Sequence, residues 1–424
     1  MDRMMKTTRR RFLFNAGTAI AAPYFVRPHV LGGERGPAPS DQIRIGQIGF
    51  GKQGANNLNA LLSHTVAVCD VDRSRLQAMQ AHVERKSGRT VAGYSDYRRM
   101  LDDPKIDAIV ATVPDHWHAL ITIDACRAGK DVYCEKPLSL TIAEGRAMTH
   151  AARRYGRIVQ TGSQQRSDAR FRLACELIRA GRLGKIHTVR AGISGVNFNG
   201  PAVEDRDPPA ELDYDFWLGP APLRPYNEKR VHYNFRFFWD YSGGQLTNWG
   251  AHHLDIAQWG LGMDAGGPEA IEGQARYHEQ GWYEVPEWCE VIYHYPGGAR
   301  VICGMDQPGG TTFEGEHGTL HVDRKRLSAE PAELLEQPLR ESDVRLYASN
   351  DHHQNWLDCI RTRALPICDV EIGHRSATVC HLGNIAIRTG RRIAWDAAAE
   401  QIVGDEEAQQ MLRRSYRSPW ELVS

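Results

Sequence analysis

Two short stretches of this 424-residue chain carry side chains suited to moving protons: Cys134-Glu135-Lys136-Pro137, and Asn248-Trp249-Gly250-Ala251-His252-His253-Leu254-Asp255. A lysine can donate to a substrate hydroxyl and stabilise the oxyanion that develops there as a proton leaves. A histidine titrates near neutrality and serves as general acid or base. The second stretch reads as a helix with Asn248 near its start, so Asn248 and His252 share a face. His253 points about a hundred degrees away. Asp255, three residues past His252, is placed to orient the ring from the same side. Lys136, His252 and Asn248 are the catalytic candidates.

A third stretch binds rather than reacts. Gly49-Phe50-Gly51-Lys52-Gln53-Gly54 has the G-x-G-x-x-G spacing, follows the strand-like "IRIGQIGF" and opens the helical "ANNLNALL". In that context backbone N–H groups and a helix N-terminus can meet the pyrophosphate of a dinucleotide with no Cβ in the way. Asp70 ends the next strand, about twenty residues on, where a carboxylate receives ribose hydroxyls and repels a 2′-phosphate. NAD is therefore favoured over NADP. Arg73 lies close enough in sequence to reach such a phosphate.

These residues need a scaffold that gathers strand ends. From Gln42 onward short apolar runs alternate with helical stretches: "TVAVCDVD", "RSRLQAMQAHVER", "DAIVATV", "HALITIDACRAG", "DVYCEKP". The alternation predicts a doubly wound parallel sheet of Rossmann type over residues 41–162, and it puts Glu135 and Lys136 at a strand C-terminus, where such sheets bind ligands. Beyond it, "KIHTVRAGISG", "EVIYHYPGGARVICG" and "TTFEGEHGTLHVD" are longer and strand-like. They predict an α+β domain over residues 163–424 built on a large open, mostly antiparallel sheet. "GHRSATVCHLGNIAIRTG" reads as a helix, and Trp420 as packing. The aromatic run "HYNFRFFWDY" fits either a stacking face for a sugar ring or core.

The glycine loop, "TVPDHWHALITIDACRAGKDVYCEKPLS" and "GGQLTNWGAHHLDIAQW" together resemble the Gfo/Idh/MocA oxidoreductases, over essentially the whole chain past residue 40. The resemblance implies hydride transfer at a carbinol carbon of a sugar, glycoside or cyclitol, and a homo-oligomer formed through the open sheet. It implies that Lys136 is the lysine of the E-K-P motif and that His252 is the general acid/base. It places His118, in a Pro-x-x-x-His turn, near the nicotinamide. The expected nucleotide contacts are Gly49, Phe50, Gly51, Gln53, Gly54, Asp70, His118, Glu135 and Lys136; Arg166 and Asp255 are the candidate substrate contacts. The family's aspartate four residues before the histidine is here Asn248, an amide that supplies no charge to raise the histidine's basicity.

Residues 1–40 read as an export signal and linker. Thr8-Arg9-Arg10-Arg11-Phe12-Leu13 resembles the twin-arginine signal, the apolar run to Val26 is too short to span a membrane, and Ala19-Ile20-Ala21 offers a cleavage site. A periplasmic protein exported folded, by the twin-arginine machinery, would carry its NAD out with it. The nucleotide should then be tightly bound, with the second domain or the linker covering part of the cleft. Nine cysteines without a C-x-x-C pair argue for buried free thiols rather than a disulfide framework. Lys plus Arg equals Asp plus Glu at 52 each, so no overall field recruits nucleic acid, and a small neutral carbohydrate is the expected ligand. Adjacent histidines do not converge on a helix, so no metal is expected.

Three functions fit these residues. The first is an NAD-dependent oxidoreductase. The second is a glycosidase that oxidises, eliminates, hydrates and reduces on one nucleotide. The third is a non-catalytic sugar-binding module that has kept the nucleotide as a structural element.

Overall fold

The computed structural model describes residues 42–422, so the twin-arginine motif and its linker lie outside the described residues. From Arg44 onward the described residues form one compact unit. Six parallel strands make the first sheet: β1 (Ile45–Ile48), β2 (Thr65–Cys69), β3 (Ala92–Tyr94), β4 (Ala108–Ala111), β5 (Asp131–Cys134) and β6 (Val159–Thr161). Their order, β3-β2-β1-β4-β5-β6, is that of a Rossmann sheet. β1, β4 and β5 are buried at every residue, as strands covered by helices on both faces must be.

Connecting helices include α1 (Lys52–Ala60), α2 (Arg73–Ser87), α3 (His118–Arg127) and α4 (Ile142–Arg154). Their ends are written in the sequence. Asp72 caps α2 by accepting from the Ser74 and Arg75 amides, and Thr141 and Glu144 form a reciprocal capping box at α4.

The second layer holds nine strands: β7 (Ile186–Gly192), β8 (Ala270–Arg276), β9 (Trp288–His294), β10 (Arg300–Gly304), β11 (Gly310–Gly315), β12 (Gly318–Val322), β13 (Leu327–Glu330), β14 (Ile393–Asp396) and β15 (Gln401–Val403). They run β13-β12-β11-β7-β10-β9-β8-β14-β15, antiparallel except for the β7–β10 pair. Helices α5 (Ala169–Arg179), α6 (Gly250–Leu261) and α7 (Val370–Thr389) contribute to the core that packs on one face of this sheet.

The two layers are sewn together rather than strung on a linker. α7 returns to the first sheet, where a Cβ on Gly373 would come within 1.9 Å of Thr161 Oγ1. Arg146 of α4 pairs with Glu371 and Glu400. The tail follows: Arg414 pairs with Glu144, and Trp420 packs edge-on against Trp117 at 4.9 Å. All nine cysteines are buried and free.

Candidate active site

A cleft of about 550 Å³ opens along the C-terminal ends of the parallel strands and is closed over by the second layer. Its three loop glycines meet two different needs. A Cβ on Gly49, where φ is +92°, would strike the Thr112 carbonyl at 2.2 Å, and one on Gly54 would strike the Gly49 carbonyl at 2.3 Å. Both hold α1 hard against β1 and β4. Gly51 meets nothing within 4 Å, so its missing side chain leaves open space rather than tight packing. α1 starts there with no side-chain cap and no acidic residue in its first turn, leaving its amides for an external anion.

Asp70 Oδ2 accepts the Phe50 amide at 2.9 Å and Oδ1 the Asp72 amide at 3.0 Å, tying the loop to the end of β2. Burial raises its pKa to about 6, against the pull of those amides and of Arg75. Arg75 donates to the Phe50 carbonyl at 2.6 Å and lines the cleft, whereas Arg73 turns away to the Ala210 carbonyl at 2.6 Å. Arg73 is thus misplaced as a phosphate ligand; Asp72 begins the helix, and its register points Arg75 at the loop.

Gln53 and Asn57 both donate to Glu135 Oε1 at 3.0 Å, and Glu135 Oε2 accepts the Lys136 amide at 3.2 Å. Gln53 and Glu135 therefore face the cleft as one bonded unit.

The stretch from residue 205 to 242 forms a strap over the cleft, tied down just past the end of β2. Arg73 N donates to Glu211 O at 2.9 Å, Asp213 N to Val71 O at 3.0 Å, and His232 Nε2 lies 3.1 Å from Asp72 Oδ2. Phe216, Trp217, His232, Tyr233 and Phe235 line the cleft from this strap. Phe237, Phe238 and Tyr241 are buried in its own core, so the aromatic run contributes to both the cleft wall and the core.

At the other end, Lys136 Nζ donates to Asn248 Oδ1 at 2.9 Å and to Asn248 O at 3.0 Å. Burial lowers its pKa to about 8; Glu135 and Asp115 resist that and Arg236 and Arg324 add to it. His252 lines the same cleft. Its Nδ1 is buried without a partner, and burial, Lys136 and Arg324 hold its pKa well below the usual histidine range. Asp115 also lines the cleft, accepting from Ser242 Oγ at 2.5 Å.

Several sequence expectations are corrected here. Asn248 ends a short helix (Gly244–Asn248) and His252 sits in the first turn of α6, so the amide serves Lys136 and makes no hydrogen bond to His252. Asp255 does not orient His252: its carboxylate accepts from Arg166 at 2.8 to 3.0 Å and from Ser376 at 2.5 Å. Arg166 is 1% exposed and pairs with Asp255 and Asp264, and neither Arg166 nor Asp255 lines the cleft. His118 sits behind the wall, its Nδ1 2.7 Å from Pro137 O and Nε2 3.0 Å from Val113 O. Two carbonyl partners require both nitrogens to donate. Burial opposes that charge, but Cys134, Asp115 and the Pro137 carbonyl outweigh it and raise the pKa to about 10. His118 clamps the two turns that frame Lys136 and does not line the cleft. His352 and His353 are likewise spent on Ser167, Thr161 and Asn57.

A Rossmann sheet whose glycine loop, ribose-side carboxylate and buried lysine–histidine set share one cleft defines a dinucleotide-binding protein of the oxidoreductase type. The chain belongs to the Gfo/Idh/MocA oxidoreductase family: residues 43–163 match that family's NAD-binding Rossmann fold and residues 195–422 its C-terminal alpha/beta domain. Among similar proteins, a myo-inositol 2-dehydrogenase of Thermotoga maritima is 33% identical over 177 residues, 41% of this chain and 48% of that protein. The chain spans about half the length of the curated relatives it matches. Among solved structures, the WlbA dehydrogenase from Bordetella pertussis, in complex with NADH and UDP-GlcNAcA, shares the fold with a TM-score of 0.62 at 23% identity, covering 84% of this chain and 99% of that one. An aldose-aldose oxidoreductase from Caulobacter crescentus, complexed with glycerol, does so with a TM-score of 0.62 at 21% identity, covering 83% and 99%.

Proposed function

We propose that the protein is an NAD-dependent oxidoreductase acting on a CH–OH group of a sugar or cyclitol. The observation that carries this reading is the pairing of Lys136 and His252 in the cleft that the glycine loop opens. NAD, when bound, supplies the hydride acceptor for the carbinol carbon. Gly49, Gly51, Gly54 and the α1 amides would hold its pyrophosphate, and Asp70 its ribose hydroxyls.

The chain's own groups divide the proton work. Asn248 takes two of the three ammonium N–H groups of Lys136, which fixes the third for the substrate oxygen. As a cation at neutral pH, Lys136 stabilises the oxygen as its proton departs. His252 is neutral at that pH and offers a lone pair to the departing proton. The strap excludes water and supports slow nucleotide release, in keeping with a cofactor held through turnover. With the twin-arginine-like motif, the same reading extends to export with the nucleotide loaded.

The test is NAD reduction at 340 nm over a panel of aldoses, inositols and glycosides, with nucleotide content assayed after denaturation. Lys136→Ala and His252→Ala should each lower turnover by about 10²-fold or more with the nucleotide still bound. Near-normal turnover in either variant removes that residue from the mechanism. No reduction with any polyol, alongside NAD binding, would leave the binding-module reading. Aglycone release without net reduction would favour the glycosidase.

A further inference from the structure

Three arginines line the cleft, and only one has its charge answered. Arg75 lies 3.9 Å from Asp72 and bonds the Phe50 carbonyl. Arg236 and Arg324 have no carboxylate within ion-pair distance among the described residues. Arg236, on the strap, packs over Tyr233 with its guanidinium carbon 4.0 Å from the ring centroid and over Phe235 at 5.3 Å. Arg324, on the exposed turn between β12 and β13, lies over Trp249 at 5.2 Å and reaches the Gln165 amide oxygen at 3.3 Å. Aromatic faces shed water from one side of a guanidinium and leave its N–H edge to find an acceptor.

The charge count around Lys136 points the same way. Its nearest carboxylates are Asp115 and Glu135, and both are engaged, Asp115 by Ser242 and Glu135 by Gln53, Asn57 and the Lys136 amide. Asn248 adds no charge. Lys136, Arg236 and Arg324 therefore stand three against two, from separate elements that line one cleft, with both guanidinium charges felt at Lys136. An arginine presented without a partner in a cleft is a recognition group for carboxylate or phosphate.

Resting on the oxidoreductase reading, we infer that the substrate is an anionic sugar or cyclitol, whose carboxylate or phosphate is held by Arg236 and Arg324 while its hydroxyl meets Lys136 and His252. The anion completes the charge balance that the protein leaves open. It also raises the basicity of His252, which the neighbouring cations depress.

The experiment is calorimetric titration of the NAD-loaded protein with D-glucuronate, D-galacturonate, glucose 6-phosphate and their neutral parents, followed by rates at 340 nm. One acid should bind about 10-fold to 100-fold tighter than its parent. The uronates and the phosphate ester separate the two sources of the anion. Arg236→Gln/Arg324→Gln should erase that preference with nucleotide content unchanged; Arg324→Gln alone, on an exposed turn, should remove part of it in a protein that folds. Acids that bind no better than their parents, or a preference that survives both substitutions, overturn the inference. Acid-selective binding without NAD reduction upholds it while refuting the oxidoreductase reading; reduction by neutral polyols as good as by acids does the reverse.

Discussion

Replacing Asn248 by aspartate puts a carboxylate where an amide oxygen now sits 2.9 Å from Lys136 Nζ. At an effective dielectric near 20, a charge pair at that distance is worth about 6 kcal/mol before the new carboxylate's own desolvation is charged against it. Opposite charges this close shift pKa values by about 1–3 units in practice. Lys136 lies at about 8 in the parent, because burial outweighs the pull of Glu135 and Asp115. If the cationic form stabilises the substrate oxygen, kcat/KM in the parent falls as pH rises through about 8. In Asn248→Asp that falling limb should move up by about 1–3 pH units. The assay is initial NADH formation across the alkaline range at limiting substrate, with nucleotide content measured in parallel. A limb that does not move, or a parent whose activity rises through pH 8, refutes the assignment of Lys136 as the cationic donor.

Other consequences follow from the nucleotide end and the core. Gly51→Val should leave thermal stability within about 0.5 kcal/mol, since its Cβ meets no protein atom within 4 Å, yet cut NAD affinity by tenfold or more; equal affinity by calorimetry would show that the pyrophosphate lies elsewhere. Asp70 has a pKa of about 6 without ligand, and ribose hydroxyls favour its ionised form. NAD affinity should therefore weaken as pH falls below 6 and level off above it; affinity that is flat between pH 5 and 7.5 would sever Asp70 from the ribose. Arg166→Ala strands a buried carboxylate and should cost about 3–5 kcal/mol in denaturant unfolding, with nucleotide stoichiometry intact in the folded fraction; a change below 1 kcal/mol would mean that the Arg166–Asp255–Asp264 cluster is not structural.

What the sequence disclosed was local. The glycine spacing, Asp70 at the end of the next strand and Lys136 after β5 are each fixed within one strand–loop–helix unit, so their positions follow from neighbours in the chain. Errors arose where a partner lies far away. Arg166 and Asp255 are 89 residues apart, and nothing near either one shows that each answers the other's charge. The family resemblance brings the His118 turn near the nicotinamide, but the ring's direction depends on the Pro137 carbonyl 19 residues on. Arg73 and Arg75 differ only by helix register, and the cap at Asp72, which the sequence contains, was the signal that separates them. The strap was visible only as an aromatic run, since its role comes from backbone bonds to Val71 and Arg73 rather than from its own pattern.

Overall neutrality says little about the cleft itself, because 52 cations and 52 anions average over a surface while a substrate meets only those in the cleft. There the balance is cationic, and Asn248 is part of the reason. A carboxylate at this position would steady Lys136 but also stand beside the group that Arg236 and Arg324 are free to bind. Asn248→Asp should therefore act in opposite directions on the two kinds of substrate. For a neutral polyol the alkaline limb moves and KM stays within about threefold, since no charge is repelled. For the acid, the new carboxylate repels a like charge in the same cleft, so KM should rise by about tenfold or more while the limb moves as before. Measuring both limbs and both KM values on one variant separates the two roles: a limb that shifts with no acid-specific rise in KM keeps Lys136 as the donor and removes the anion from the cleft.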